Sequence, residues 1–391
     1  MAIKQLIITF IFTLVLFFIL YLPTLLTRPL SRFQPVISST SFNIINQYPV
    51  TFAYLISASK GDLDSLKRTL YALYHPNNHY LIHLDHGAPQ SEHHDLAKFV
   101  MDEPVFAQVN NVWVVGKPNF VTYRGPTMLA TTLHAIAMLL RSCKWDWFIN
   151  LSASDYPLVT QDDLIYAFSG LPKDLNFIQH SGRLGWKLNK RGRPIMIDPG
   201  LYSVNKSEIW WVIKQRNLPT AFKLYTDHSR STVLSVGSWD NLPRTLLLYY
   251  TNFVSSPEGY FQTLICNSED YVNTTVNHDL HFITWDTPPK QHPRSIGLRD
   301  YRKLILSNAP FSRKFKKDSP VLDKIDRELL LRNKGKFSFG GWCSEKGERN
   351  GSCSGLRDGI GSLMPGPGSR RLKALLTKML STKNFKKRQC R

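Results

Sequence analysis

A chain of 391 residues, 43% of them hydrophobic, can bury one large or two modest cores, which excludes disorder throughout. Five cysteines are too few for a disulfide scaffold, although they suit a large luminal domain with one or two bridges. The formal charge of +20 is lopsided: from Lys290 onward 26 Lys and Arg stand against 8 Asp and Glu, a net of +18. Such a basic quarter is either a solvated surface or one that faces anions.

The first element is "LIITFIFTLVLFFILYL", which runs without charge from Leu6 and continues to Leu26. About 20 apolar residues span a bilayer core as a helix. No small-residue cleavage pattern follows, so an uncleaved anchor is expected over residues 6–26, with residues 1–5 as a cytoplasmic tail and the large domain translocated. Residues 27–48, rich in Pro, Ser and Asn without sustained periodicity, read as a stem. The folded domain then opens on "VTFAYLIS", a continuous β-type run of the sort buried in a parallel sheet. "GDLDSLKRTLYALYH" follows as a helix behind an Asp cap, with Leu63, Leu66, Leu70 and Leu73 at helical spacing. Strand "HYLIHLD", helix "SEHHDLAKFV", strand "NVWVVG", helix "PTMLATTLHAIAMLLRS" and strand "WDWFINLS" complete four alternations. The later part mixes short strands such as "LNFIQH" and "HFITWD" with loops and helices, as an acceptor-binding half on the same sheet would.

This alternation predicts a doubly wound, mostly parallel α/β sheet over residues 49–330, whose ligands bind beyond the carboxyl ends of the strands. Residues 331–391 are set apart as a basic, Gly-rich C-terminal region. Neither G-x-G-x-x-G after the first strand nor a P-loop is present, which disfavours a dinucleotide enzyme and a P-loop protein. Asp85, at the tip of "HYLIHLDHG", and Asp155, in "NLSASDYPL", stand at strand ends, where each is either a ligand contact or a turn residue. The Asp62–Asp64 triplet has the D-x-D pattern, but at a helix start, where Asp is ordinary, and no metal site is expected there. Arg313 and Lys314, in "APFSRKFKKD", could neutralise a diphosphate by fork hydrogen bonding and by point charge, or form a solvated basic loop. Cys343 and Cys353 close a Gly-rich loop and are the expected disulfide. Sequons at Asn205, Asn273 and Asn350 are glycosylation candidates, whereas Asn150 lies in an apolar run.

In order, "INLSASDYPL", "WDNLPRTLLLYYTNFVSSPEGYFQTLICN", "WDTPPKQHP" and "APFSRKFKKDSPVLDKID" resemble the core-2/I-branching and peptide-O-xylosyltransferase family, in its plant branch of β-glucuronosyltransferases that decorate arabinogalactan proteins. The resemblance runs from Tyr48 to Asp326. It implies a type II Golgi membrane glycosyltransferase with a GT-A-like fold and a metal-independent, inverting mechanism, using a UDP-sugar donor and a glycan or glycoprotein acceptor, with no cofactor and no nucleic acid. By the same resemblance Glu258 is the catalytic base. Asp85, Val121, Thr122 and Tyr123 hold the UDP moiety, and Arg313 and Lys314 meet the diphosphate. Asp155, Trp239 and Asp240 are candidates for acceptor or sugar contact. The chain departs from the family where "DHSRSTVLSVGS" replaces a G-S-x-W segment that helps receive the acceptor.

Chemically, Glu258 is a single carboxylate in an otherwise aromatic, aliphatic and small polar stretch, a setting expected to raise its pKa toward the working range of a base. Glucuronate as donor rests on the resemblance alone; N-acetylglucosaminyl or xylosyl transfer is the enzymatic alternative. An anionic-surface binder predicts aromatics interleaved with the basic tail, yet after Trp342 the only aromatic is Phe385. An inactive splice form is the third reading, suggested by the unusual segment 227–238.

Overall fold

The computed structural model describes residues 48–122, 124–202, 209–227, 232–235, 241–288, 290, 292–343, 356 and 362–390. The expected anchor, and the expected stem up to residue 47, therefore lie outside the described residues, among which no helix is long and apolar enough to cross a membrane. The strands in chain order are β1 (Phe52–Ala58), β2 (His79–Leu84), β3 (Val112–Val114), β4 (Trp147–Ser152), β5 (Asp155–Pro157) and β6 (Asn176–Phe177). They continue as β7 (Ile195–Ile197), β8 (Trp210–Ile213), β9 (Val233–Ser235), β10 (Thr275–Val276), β11 (His281–Ile283) and β12 (Phe311–Arg313).

Seven of these form the main sheet, in the order β10-β6-β9-β4-β1-β2-β3. The pairs β1/β2, β1/β4, β2/β3 and β10/β6 are parallel, while β9 runs antiparallel to both β4 and β6. The sheet is thus mixed α/β and mostly parallel. Strand order reverses between β1 and β4, the switch point at which open α/β sheets bind ligands.

The continuous apolar run of β1 reflects burial on both faces. Phe52, Tyr54 and Ile56 pack with Leu66, Leu70 and Leu73 of the helix Leu63–Leu73, whereas Ala53 and Leu55 pack with Leu129, Ile136 and Leu139 of the helix Thr127–Ser142. Residues with a period of two in the strand and of three to four in the helices therefore meet across both faces. Asp62 stands at the helix start as expected, but its carboxylate accepts from Ser59 N–H (3.0 Å) and makes no side-chain hydrogen bond to the helix. Its neighbour Asp64 is held by Lys317 at 2.6 Å, which keeps the carboxyl below the usual range. The D-x-D triplet is accordingly spent on a turn and a surface ion pair.

Two segments differ from the expected organisation. The C-terminal region joins the main core: Phe337, Trp342, Leu372, Leu376 and Met379 belong to the same cluster as Phe52 and Tyr54. Asp162 and Asp163, on the helix Gln161–Phe168, hook that region in place by accepting from the backbone N–H groups of Gly341, Met364, Gly366 and Ser369 at 2.6–3.0 Å. In the unusual segment 227–238, Val233–Ser235 is the wholly buried β9; residues 228–231 and 236–240 lie outside the described residues.

Cys343 is disulfide-bonded, and its expected partner Cys353 lies outside the described residues. A bridge not foreseen in the sequence joins Cys266 to Cys390 across 124 positions. Asn273 is exposed, in keeping with a glycan acceptor, while Asn205 and Asn350 are outside the described residues.

If the helix Pro367–Leu380 is part of the core, truncating fully buried Leu372 to Ala should cost about 2–5 kcal/mol of unfolding free energy, measured by urea titration. A loss below about 0.5 kcal/mol would mean that the helix is an appendage.

Candidate active site

The site is built from loops fastened to the carboxyl end of β1. Asp85 N–H donates to the carbonyl of Ala58 and Ala153 N–H to that of Ser57, both at 2.9 Å, so the loops after β2 and β4 start from one place. Asp85 is half-buried, and its two oxygens accept from Gly87 N–H (2.7 Å) and Val121 N–H (2.8 Å). It is therefore a turn residue that also draws in the 116–122 loop.

That loop is anchored by a residue that sequence reasoning missed. Asp198, fully buried, accepts from the hydroxyls of Thr122 (2.7 Å) and Thr127 (2.8 Å) and from the N–H groups of Thr127 (3.2 Å) and Gly200 (3.0 Å). A buried carboxylate persists only when donors surround it in this way. Gly125 is required for the same reason, since a Cβ there would lie 1.8 Å from an oxygen of Asp198. The only sequence signal was an Asp ahead of a Pro-Gly turn in "MIDPG".

From this loop the backbone leads to Glu258. The carbonyl of Arg124 accepts from Ser255 N–H (2.8 Å), and Ser255, with φ 58°, turns the chain into the short 3-10 helix Ser256–Glu258. The Ser256 hydroxyl donates to the carbonyls of Tyr250 (2.6 Å) and Phe253 (2.8 Å), and the carbonyl of Glu258 accepts from Asp227 N–H and the Thr226 hydroxyl, each at 2.9 Å. Glu258 itself is 8% exposed. Aromatic Tyr250, Phe253, Tyr260 and Phe261 pack in the core on this side, as the sequence led one to expect.

Yet the carboxylate does not lie in a purely apolar bed. Arg191 donates a guanidinium N–H to Oε2 of Glu258 in an ion pair and stacks over the ring of Trp186 at 5.6 Å. Arg191 belongs to a wide, π-type helical turn, Leu188–Gly192, a geometry frequent at functional sites. Just before it, buried Lys187 donates to the carbonyl of Asp227 at 2.6 Å. Burial pushes this ammonium below its ordinary range, Arg191 pushes the same way, and Glu258 and Asp227 oppose them. Neither cation stood out in "KLNKRGRP", where a basic run normally means solvated charge.

On the other side of the β1 end, β5 pairs antiparallel with β12, setting Asp155 opposite Arg313. Asp155 is 2% exposed: one oxygen accepts from Ser152 N–H (2.6 Å) and hydroxyl (2.5 Å), and the other lies 3.3 Å from Arg313 Nε. Asp155 thus steadies Arg313 from within the protein. Lys314 is exposed beside it, and Phe315 N–H donates to the carbonyl of Ser154 (3.0 Å), tying this loop to the same edge. Asp85, Val121, Thr122 and Glu258 are joined by one chain of hydrogen bonds, and Arg313 and Lys314 reach that edge through β5. Tyr123, Trp239 and Asp240 lie outside the described residues. Among the described residues, the one grouping of metal-ligand atoms is His180 with Cys266 and Cys390, whose sulfurs are joined as the disulfide.

The profile of the Core-2/I-branching enzymes matches residues 52–305. The chain is 54% identical over 371 residues to the β-glucuronosyltransferase GlcAT14B of Arabidopsis thaliana, covering 92% of this chain and 85% of that one. It is 55% identical over 352 residues to GlcAT14A of the same plant, covering 88% and 78%. Human xylosyltransferase 1 is 26% identical over 267 residues, 66% of this chain and 26% of that protein. This chain belongs to the Core-2/I-branching enzyme family and is a glycosyltransferase.

Gly125→Ala, by forcing a methyl against Asp198, should cost about 1–3 kcal/mol of stability in thermal unfolding. Gly170→Ala, where a Cβ would meet nothing within 4 Å, is the control expected to be near neutral. Equal effects of the two would remove the case for a tightly determined 120s loop.

Proposed function

We propose that this chain is a type II Golgi membrane enzyme with a GT-A-like fold that transfers glucuronic acid from UDP-glucuronate to galactan chains of arabinogalactan-type glycoproteins. The observation that carries the reading is Glu258: a nearly buried carboxylate, ion-paired with Arg191 and fastened by its backbone neighbours to the loop that includes Val121 and Thr122. The names of the two Arabidopsis relatives support the donor, and the quoted motifs support the acceptor. The uncharged run from Leu6 supports the membrane anchor, and with it a luminal catalytic domain.

The reaction is a single displacement. The acceptor hydroxyl oxygen bonds to the anomeric carbon from the face opposite UDP, and the bond from that carbon to the β-phosphate oxygen breaks. Its electron pair leaves with UDP, and the hydroxyl proton passes to Glu258. A sugar hydroxyl is too weak an acid to attack unaided, and a positioned base is worth roughly 10² to 10⁴ in rate. Charge grows on the departing diphosphate, where Arg313 and Lys314 stabilise it more in the transition state than in the ground state. Asp155, paired with Arg313, fixes that guanidinium before substrate arrives.

Glu258→Gln in the full-length protein should lower kcat on a β-1,6-galactan acceptor by about 10² or more while leaving UDP affinity within a few fold. Undiminished turnover would overturn the role of Glu258. Because two cations meet the diphosphate in this account, transfer should persist in EDTA. Loss of activity in EDTA that Mn²⁺ restores would contradict it, and transfer of xylose or N-acetylglucosamine in place of glucuronate would correct the donor.

A further inference from the structure

A general base needs only a proton donor within its reach, and the pairing of Glu258 with a guanidinium is more than that requirement. Arg191 donates to Glu258 through one Nη1 N–H, and its side chain keeps 17% of its surface exposed. Among the described residues no other hydrogen bond of its guanidinium is present, which leaves the remaining donors of its planar fork open to a ligand beside Glu258. Two other cations of the candidate site are committed differently. Lys187 is buried on the carbonyl of Asp227, and Arg313 is turned to Asp155.

The reaction geometry places the donor sugar within reach of Arg191. In a single displacement only the attacking oxygen separates the base from the anomeric carbon, by about 3 Å on either side. In a hexuronate the carboxylate carbon is joined to that anomeric carbon through only the ring oxygen and C5. A guanidinium hydrogen-bonded to the base is therefore a neighbour of the sugar's acidic group, and a fork of parallel N–H donors matches a carboxylate. The guanidinium carbon of Arg191 lies over the ring of Trp186, a cation–π contact that helps to place it.

We propose that Arg191 is the specificity-determining residue for an acidic donor sugar: it reads the C6 carboxylate through the part of its fork that Glu258 does not use. This rests on the uronate reading above. The test is calorimetric binding of UDP-glucuronate and UDP-glucose to the full-length protein, wild type, Arg191→Gln and Arg191→Lys. Wild type should prefer UDP-glucuronate. Arg191→Gln should weaken UDP-glucuronate by about 10- to 100-fold and UDP-glucose by less than threefold, because only the charged hydrogen bonds to the carboxylate are lost. Arg191→Lys, which keeps the positive charge beside Glu258, should lose part of the preference for want of the fork. If Arg191→Gln does not fold, Arg191→Lys decides the matter alone. Equal weakening of both nucleotides, or an unchanged preference, would overturn the inference and leave Arg191 as a positioning residue for Glu258. A wild-type protein that binds both nucleotides alike would instead refute the uronate donor itself, a distinct outcome.

Discussion

The two hydrogen bonds accepted by Ser57 and Ala58 at the end of β1 set the position of nearly everything else in the site. They fasten the loop that starts at Asp85 and the loop that leads through Ala153 to β5, on either side of the point where strand order reverses. From Asp85 the connection passes through Val121 and the 120s loop to Ser255 and Glu258; from β5 it passes to Arg313 and Lys314. The proposed base and the proposed leaving-group site, far apart in sequence, thereby share one origin. That origin is rigid because β1 is buried on both faces between two helix layers.

Around it three carboxylates are each held by groups from another segment of the chain. Asp198 joins the 120s loop to Gly200, Asp155 joins β5 to β12, and Glu258 joins its short helical turn to the π-type turn of Arg191. A buried carboxylate is costly without donors or an opposite charge, so each of these contacts also fixes the relative placement of two segments. Dipoles and charges fixed before substrate binds need not reorganise during reaction, which is the condition for electrostatic catalysis.

The first half of the fold was legible because its signals are local. In β1, β2 and β4 the signal is a continuous apolar run of strand length, and in the long helices between them apolar residues recur at helical spacing; the three-residue β3 was legible only from the longer apolar run "NVWVVG" around it. β9 was not legible: three residues, Val233–Ser235, carry no period, and the sheet accepts them because β4 and β6 present open edges. The stretch 369–391 reads in sequence as a basic, partly amphipathic helix or tail, and a helix is present over Pro367–Leu380. Its packing into the core was not legible, because Arg370, Arg371, Lys373 and Lys378 suggest a solvated surface while Leu372, Leu376 and Met379 form the buried face. The bridge from Cys266 to Cys390 depends on how the chain folds back over 124 positions, which spacing cannot express. At the site, Glu258 stood out because it was alone among neutral neighbours. Arg191 and Lys187 did not, because they lie among other cations, and only tertiary structure separates the charges that are buried from those that are solvated.

The central claim is that one carboxylate, Glu258, performs a single displacement at the anomeric carbon. The stereochemistry of the product tests it most directly. With α-linked UDP-glucuronate as donor, the anomeric proton of the newly joined sugar, followed by NMR from the first turnovers, should show the large coupling of a β-glycoside. An α-linked product would require a second displacement or a front-face reaction, and would contradict the account.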